Sequence, residues 1–249
     1  MAGLVLAVRF LTVLPIAGRA AAGPRALGRA AWWFPVVGLA LGALLAALDR
    51  ALALVFPPLL ASAMVVLGWK VATGGLHLDG LADCLDGLAG ATPPARLAIM
   101  RDSRIGTFGA AGLALVLLVT TAALAELPAR LRAPILILVP AIGRAGPALV
   151  AGSARAATPE HGAGADFIGA VPRTAGPVEV LVLGALAMFA VGPGGAIVTV
   201  AAAAVAVGWA VFMSSRLAGL NGDALGSTVE LAEAAALVTA VALARHGIL

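Results

Sequence analysis

Seven stretches of this 249-residue chain run for most of a bilayer's thickness with almost no charge: Trp32 to Leu48, Ala51 to Trp69, Phe108 to Leu127, Ala133 to Ala151, Pro177 to Val191, Gly195 to Met213 and Val229 to Ala244. About 20 apolar residues in helical form cross the hydrocarbon core, and only a helix or a closed barrel satisfies its own backbone there. The fifth stretch is the shortest. Composition excludes the soluble alternative, because 62% of the residues are hydrophobic and 11% charged, with a mean hydropathy of +1.08. Soluble domains carry about 25% charged residues. Aromatic residues make up 4% and tyrosine is absent, whereas a membrane barrel shows aromatic girdles. The expected fold is therefore all-α, a polytopic transmembrane bundle of about seven spans. It forms one domain over residues 1–249, with small residues at the helix contacts.

Only Asp49 and Arg50 separate the first two stretches, and a Gly192-Pro193-Gly194 turn separates the fifth and sixth, so both pairs read as helical hairpins. Following the alternation, Arg9, Arg19, Arg25, Arg29, Lys70, Arg96, Arg101, Arg104, Arg155, Arg173 and Arg216 fall on one side. Arg50, Arg130, Arg132 and Arg245 fall on the other. The positive-inside rule then puts the N-terminus in the cytoplasm, together with the polar loops 70–107, 152–176 and 214–228. The expected location is the inner membrane, multi-pass, with the functional loops facing the cytoplasm. Arg9 interrupts the first apolar run, which argues against a cleaved leader. The net charge of +4 and isoelectric point near 10.9 are scattered arginines with no nucleic-acid signature, so no nucleic-acid partner is expected. The single Cys84 makes no internal disulfide, which agrees with a reducing compartment.

Of only 12 acidic residues, three lie within the glycine-flanked segment Gly74 to Gly87. On a helix, Asp79, Asp83 and Asp86 recur at i, i+4 and i+7 and share a face. Such carboxylates repel one another unless a cation compensates them, and hard oxygen ligands suit Mg²⁺ that also holds a substrate's phosphates. The competing account is a solvated helix face. His77 is a candidate general base or a donor to a phosphate oxygen, against an interfacial histidine bonded to backbone. After the helix-starting pair Pro93 and Pro94, Arg101 and Arg104 stand about one turn apart, as suits a diphosphate, with Asp102 holding them or binding metal. An ordinary positive-inside cluster is the alternative. In the third loop, Asp223 between glycines, followed by Glu230 and Glu233 on the next helix, offers further carboxylates for a cation or hydroxyl, unless Asn221-Gly222 is simply a turn before a capped helix. Arg144 lies inside the fourth stretch, where a charge faces a cavity or a partner. It is expected to meet a substrate phosphate or an acidic group. Glu160 and His161 lie in the second loop, where the sequence fixes no geometry.

These blocks, together with Arg9 to Pro15 and Trp33 to Gly38, resemble the cobalamin synthase family, the adenosylcobinamide-GDP ribazoletransferases, over residues 9 to about 233. Asn221 stands where that pattern has Thr, and the loop around His161 and Gly162 departs from it. The resemblance implies transfer of the corrinoid phosphate of adenosylcobinamide-GDP to α-ribazole or its 5′-phosphate, with release of GMP in a Mg²⁺-dependent reaction at the membrane. Asp79, Asp83 and Asp86 would be the metal ligands, with one carboxylate as base. Arg101, Asp102, Arg104, Arg144, Asp223 and Glu230 would bind substrate. Membrane lipid is then a constant neighbour, and a homo-oligomer is compatible with the sequence. A CDP-alcohol phosphotransferase-like lipid synthase is the nearest rival, but the chain lacks its Asp-Gly-x-x-Ala-Arg pattern. A cation-coupled transporter is the other, although here the acids sit at the mouth of the bundle rather than mid-span.

Overall fold

In a computed structural model of the chain, which describes residues 1–23, 25–158 and 162–249, twelve α-helices follow one another: α1 Ala2–Leu11, α2 Ala26–Ala30, α3 Phe34–Leu52, α4 Pro58–Ala72, α5 Leu76–Gly87, α6 Pro93–Met100, α7 Thr107–Glu126, α8 Ala129–Ala151, α9 Ala163–Ile168, α10 Ala175–Val191, α11 Gly194–Leu217 and α12 Gly222–Arg245. A 3₁₀ turn, Ala31–Trp33, joins α2 to α3. The chain is a multi-pass helical membrane protein.

Five segments are long and apolar enough to cross a bilayer: Ala26–Leu52, Thr107–Glu126, Ala129–Ala151, Gly194–Leu217 and Gly222–Arg245. Helices α4 and α10, with 15 and 17 residues, fall short of that length, so the seven expected spans become five, or six if α4 and the bent α5 count together as one. The first expected hairpin also differs. Helix α3 continues through Asp49 and Arg50 to Leu52, and the reversal comes at 53–57, where Pro57 precedes the first residue of α4. Asp49 stays helical because Arg132 of α8 grips it, with Arg132 Nε donating to Asp49 Oδ2 at 3.0 Å. The Gly192-Pro193-Gly194 turn is as expected, with Gly192 at φ +83°.

Helix α8 is the axis of the bundle and the most deeply buried of these five spans. Helix α3 packs closely on it through Gly38 and Gly42, one turn apart. A Cβ on either glycine would run into the α8 backbone at Leu136–Ile137 and Pro140–Ala141. At one end of the bundle, the starts of α4 and α8 and the end of α3 meet around Arg132, and Arg130 reaches the chain's last carbonyl. At the opposite end, all three polar loops come together. Arg96 donates to the Arg216 carbonyl at 2.9 Å, Leu220 and Arg155 share a backbone hydrogen bond at 2.8 Å, and the α4–α5 turn binds the end of α1 through Val13 N–H and the Ala72 carbonyl at 2.9 Å.

Helix α5 turns 90° away from α4 at Thr73–Gly75. Gly74 and Gly75 make that turn with φ +63° and +68°, values that a side chain would resist. Twelve residues are about 18 Å of helix, so we read α5 as lying across the loop end, outside the spans.

Candidate active site

Helix α5 is pinned from two sides. Its Gly80 rests on α12, where an added Cβ would stand 2.9 Å from the Asp223 carbonyl oxygen. Cys84 is buried there too, its Sγ 3.5 Å from Ser227 Oγ. The thiol that hinted at a reducing compartment thus packs α5 against α12. This register brings Asp223 beside Asp79 and Asp83, which the sequence separates by more than 130 positions.

Asp79 is exposed and Asp83 half-buried, and both line an open polar pocket of about 670 Å³ with Arg101, Asp102 and Arg104. Among the described residues neither Asp79 nor Asp83 has an ion-pair partner. Burial first, and then the like charges of Asp223, Asp79 and Asp86, push Asp83 up to about 7. Asp223 lies at the same junction, its Oδ2 accepting from Asn221 Nδ2 at 2.9 Å, while Asn221 Oδ1 caps α12 by accepting from Ala224 N–H at 2.9 Å. Both readings of that loop therefore hold: Asn221 caps the helix, and Asp223 joins the acidic group.

Asp86 departs from the expectation of three carboxylates on one metal-facing surface. Its Oδ2 accepts from Gly106 N–H at 2.7 Å and its Oδ1 from Gly109 N–H at 2.8 Å, so both oxygens serve the free amides that open α7. Gly106 and Gly109 are glycine because a Cβ at either would collide with that carboxylate. Asp79 and Asp86 lie on one stripe of α5 but about 10 Å apart along its axis, which puts Asp86 at the start of α7 and away from the pocket. Among the described residues no three His, Cys, Asp or Glu side chains converge as a metal cage.

Arg104 curls back on Asp102, with Nη2 donating to Oδ2 at 2.6 Å, and this pairing holds Asp102 at about 2. Asp102 thus holds Arg104 alone and leaves Arg101 facing the pocket. Helix α6 starts at Pro93 as expected, with Thr92 Oγ1 accepting from Ala95 N–H at 3.4 Å.

Behind α5 lies a second charged group that the sequence reading only partly found. Lys70 Nζ donates to Glu230 Oε2 at 2.6 Å and to Glu233 Oε2 at 3.3 Å, and Arg144 Nη1 donates to Glu233 Oε1 at 2.8 Å. Lys70 is therefore a buried partner and not a loop charge, which corrects its use as a topology signal. Arg144, 0% exposed, meets an acidic group as expected. Glu230 is committed to Lys70, so its expected contact with substrate gives way to an ion pair. Lys70 was the missed member, while Glu233, expected beside Glu230 as a carboxylate for a cation or hydroxyl, pairs with Lys70 and Arg144 instead. The only advance signal for Lys70 was that α12 places Glu230 and Glu233 three residues apart inside an apolar helix, where two carboxylates call for a cation. Arg144 Nε and Nη2 have no partner among the described residues. Arg144 borders, with His77 and Asp223, a mainly apolar cavity of about 190 Å³. Burial, then Arg144 and Lys70, lower His77 well below the ordinary histidine value and keep it neutral. Glu160 and His161 lie outside the described residues.

The sequence matches the family profile described as Cobalamin-5-phosphate synthase over residues 3–241. A protein of Pseudomonas fluorescens (strain SBW25) named adenosylcobinamide-GDP ribazoletransferase is 38% identical over 236 residues, covering 94% of this chain and 96% of its own. Proteins of the same name from Geotalea daltonii and Roseiflexus sp. (strain RS-1) are 38% and 36% identical, over 96% and 94% of this chain and 96% and 87% of their own. No solved structure matches. An acidic helix laid across the mouth of an apolar bundle, matched over nearly the whole length, places this chain in the cobalamin-5-phosphate synthase family.

Proposed function

We propose that the protein is an adenosylcobinamide-GDP ribazoletransferase, joining adenosylcobinamide-GDP to α-ribazole or its 5′-phosphate and releasing GMP. Beyond family membership, the observation that carries this reading is the polar pocket in which Asp79 and Asp83, without cationic partners, face Arg101 and Arg104. In the reaction an acceptor ribose hydroxyl forms an O–P bond at the corrinoid-side phosphorus, the bond from that phosphorus to the GMP oxygen breaks, and the hydroxyl proton passes to a base. Arg101 and Arg104 hold the diphosphate and stabilise charge developing on GMP. A carboxylate of the same pocket is placed to take that proton, whereas His77, neutral, lines the cavity behind α5.

The residues fit Mg²⁺. That ion is held by one or two carboxylates together with substrate phosphates and several waters, so it needs no ready cage of three side chains. Asp79 and Asp83 would hold it, with Asp223 alongside. When bound it would neutralise the diphosphate and favour departure of GMP. Asp86, saturated by two amides, is left to position α7.

The end bearing the pocket faces the cytoplasm in this reading, and the membrane is the inner one. Without buried Lys70, ten of the eleven basic residues first assigned to that side remain, against four opposite. Cysteines introduced at 103, 154 or 215 should resist a membrane-impermeant maleimide in intact cells. The native thiol gives little background, since burial pushes Cys84 up to about 12. The deciding experiment is GMP release from adenosylcobinamide-GDP and α-ribazole 5′-phosphate by purified protein, with and without Mg²⁺. Release in chelator equal to that in Mg²⁺ would remove the metal from the account, and no release under either condition would remove the reaction.

A further inference from the structure

Away from the acidic helix, an open groove of about 400 Å³ runs between α8 and α11 where both helices reach the loop end. Its lining changes along its length. Leu149, Val207 and Val211 line the part within the spans, and Val211 is 65% exposed on the outer face of the bundle. Ser153, just past α8, and Ser214, near the end of α11, line the part at the loops. From Val207 to Ser214 is about 10 Å of helix, so the lining passes from apolar to polar as a bilayer passes from hydrocarbon to headgroup. Leu220 closes the loop end of the groove. Its N–H donates to the Arg155 carbonyl and its carbonyl accepts from Ala157 N–H, both at 2.8 Å, so the second and third loops fix this end through backbone bonds.

Three arginines gather at that polar end. Arg155 lies two residues beyond Ser153, and the backbone of Arg173 packs against Gly152, where an added Cβ would stand 3.1 Å from the Arg173 Cα. Arg216 follows the serines of α11, its guanidinium 5.0 Å from the Phe212 ring centroid. All three are exposed, and among the described residues none has an ion-pair partner. Helices α8 and α11 carry no acidic residue to supply one. The positive-inside bias accounts for the side on which these arginines lie, but not for their meeting at the polar end of an apolar groove. A soluble anion would leave the valines bare, and a plain hydrocarbon would leave the guanidinium groups without an acceptor. A phosphodiester joined to acyl chains answers both, and basic pockets between spans at the cytoplasmic face hold such headgroups.

We infer that this groove is a binding site for one anionic phospholipid, with an acyl chain along Leu149, Val207 and Val211 and the phosphate held by Arg155, Arg173 and Arg216. The hydroxyls of Ser153 and Ser214 add donors at the same level. The groove shares no lining residue with the polar pocket, and the inference stands whether or not the proposed reaction does. The two regions touch at one point of the chain. Leu220 immediately precedes Asn221, which caps α12 and binds Asp223, so a lipid seated against Leu220 braces the loop that presents Asp223.

The test titrates the detergent-purified, delipidated full chain with dioleoyl phosphatidylglycerol and, separately, with dioleoyl phosphatidylcholine, and counts bound lipid by native mass spectrometry. One phosphatidylglycerol should bind more tightly than any phosphatidylcholine. Arg155→Gln, Arg173→Gln and Arg216→Gln should each weaken phosphatidylglycerol about fivefold, the weight of one charge at a lipid headgroup, and leave phosphatidylcholine unchanged. The triple variant should bind the two lipids alike. Val211→Trp, at an exposed position, should fill the groove and weaken both lipids together. All four side chains are exposed, so thermal unfolding without lipid should match the wild type in every variant. Equal affinity of the two lipids for the wild-type chain overturns the proposal, as does a phosphatidylglycerol preference that survives in the triple variant or undiminished lipid binding in Val211→Trp. Displacement of the lipid by inorganic phosphate at equal concentration would show an ion site without a tail, and would overturn it as well.

Discussion

Lys70, Arg144, Glu230 and Glu233 lie within the bundle as two cations and two anions, joined by hydrogen bonds of 2.6 to 3.3 Å. A few residues away, Asp79 and Asp83 stand as anions without cationic partners at the mouth of the same helices. The first group neutralises itself, as low-dielectric surroundings demand, because breaking a buried pair leaves an uncompensated charge. The second tolerates its imbalance because its members are exposed or half-buried, and because a bound cation would discharge it. Within one apolar chain, then, a paired charge holds helices in place and an unpaired one awaits a ligand.

The largest effect that tests this contrast is on turnover. Asp79→Ala and Asp83→Ala should each reduce GMP release on the order of a thousandfold, the weight of several kcal/mol of metal-borne stabilisation, while the thermal unfolding midpoint holds or rises. Near-normal, Mg²⁺-dependent release would show that this pocket is a solvated face. Next comes Glu233→Ala, which strands Arg144 and leaves Lys70 with Glu230 alone. About 3–5 kcal/mol of stability should go with it, seen as lost yield in detergent, and Lys70→Met should act in the same direction. Variants that fold normally would erase the distinction between the two groups.

Asp86→Asn sharpens the comparison from the middle, since this carboxylate belongs by sequence to the acidic helix and by contact to the scaffold. It should lower stability by about 1 kcal/mol, the usual cost of a weakened cap, and lower turnover far less than changes at Asp79 or Asp83. Equal losses at all three would restore it to the metal set.

The smallest effect is in pH. Asp83, raised to about 7, keeps its proton longer in the folded chain than in the unfolded one. The stability it contributes is present below the ordinary aspartate value and is lost as pH rises toward 7. Metal affinity runs the other way, because the ligand must be deprotonated. Mg²⁺ titrated by calorimetry should bind up to about tenfold more weakly per pH unit below 7, and Asp83→Asn should flatten that slope. A slope unchanged in that variant would place the titrating group elsewhere.

The sequence by itself determined the all-α membrane bundle, the shared end for the three polar loops, and the acidic helix with its arginine neighbours. These follow from local rules: about 20 apolar residues must be helical in lipid, glycine pairs turn, and prolines start helices. Tertiary structure alone decided which charges are spent on one another. Nothing local to Lys70 says that it leaves the loop for Glu230 and Glu233, or that Asp86 turns to the amides of Gly106 and Gly109. Nor does anything local bring Asp223 across from α12 to Asp79 and Asp83, or stack Phe10, Phe34 and Phe167 from three distant elements. The reason is physical. A helix is made by bonds between near neighbours and is legible one window at a time, whereas a buried charge is settled by whichever opposite group or backbone amide the packing of other helices delivers to it.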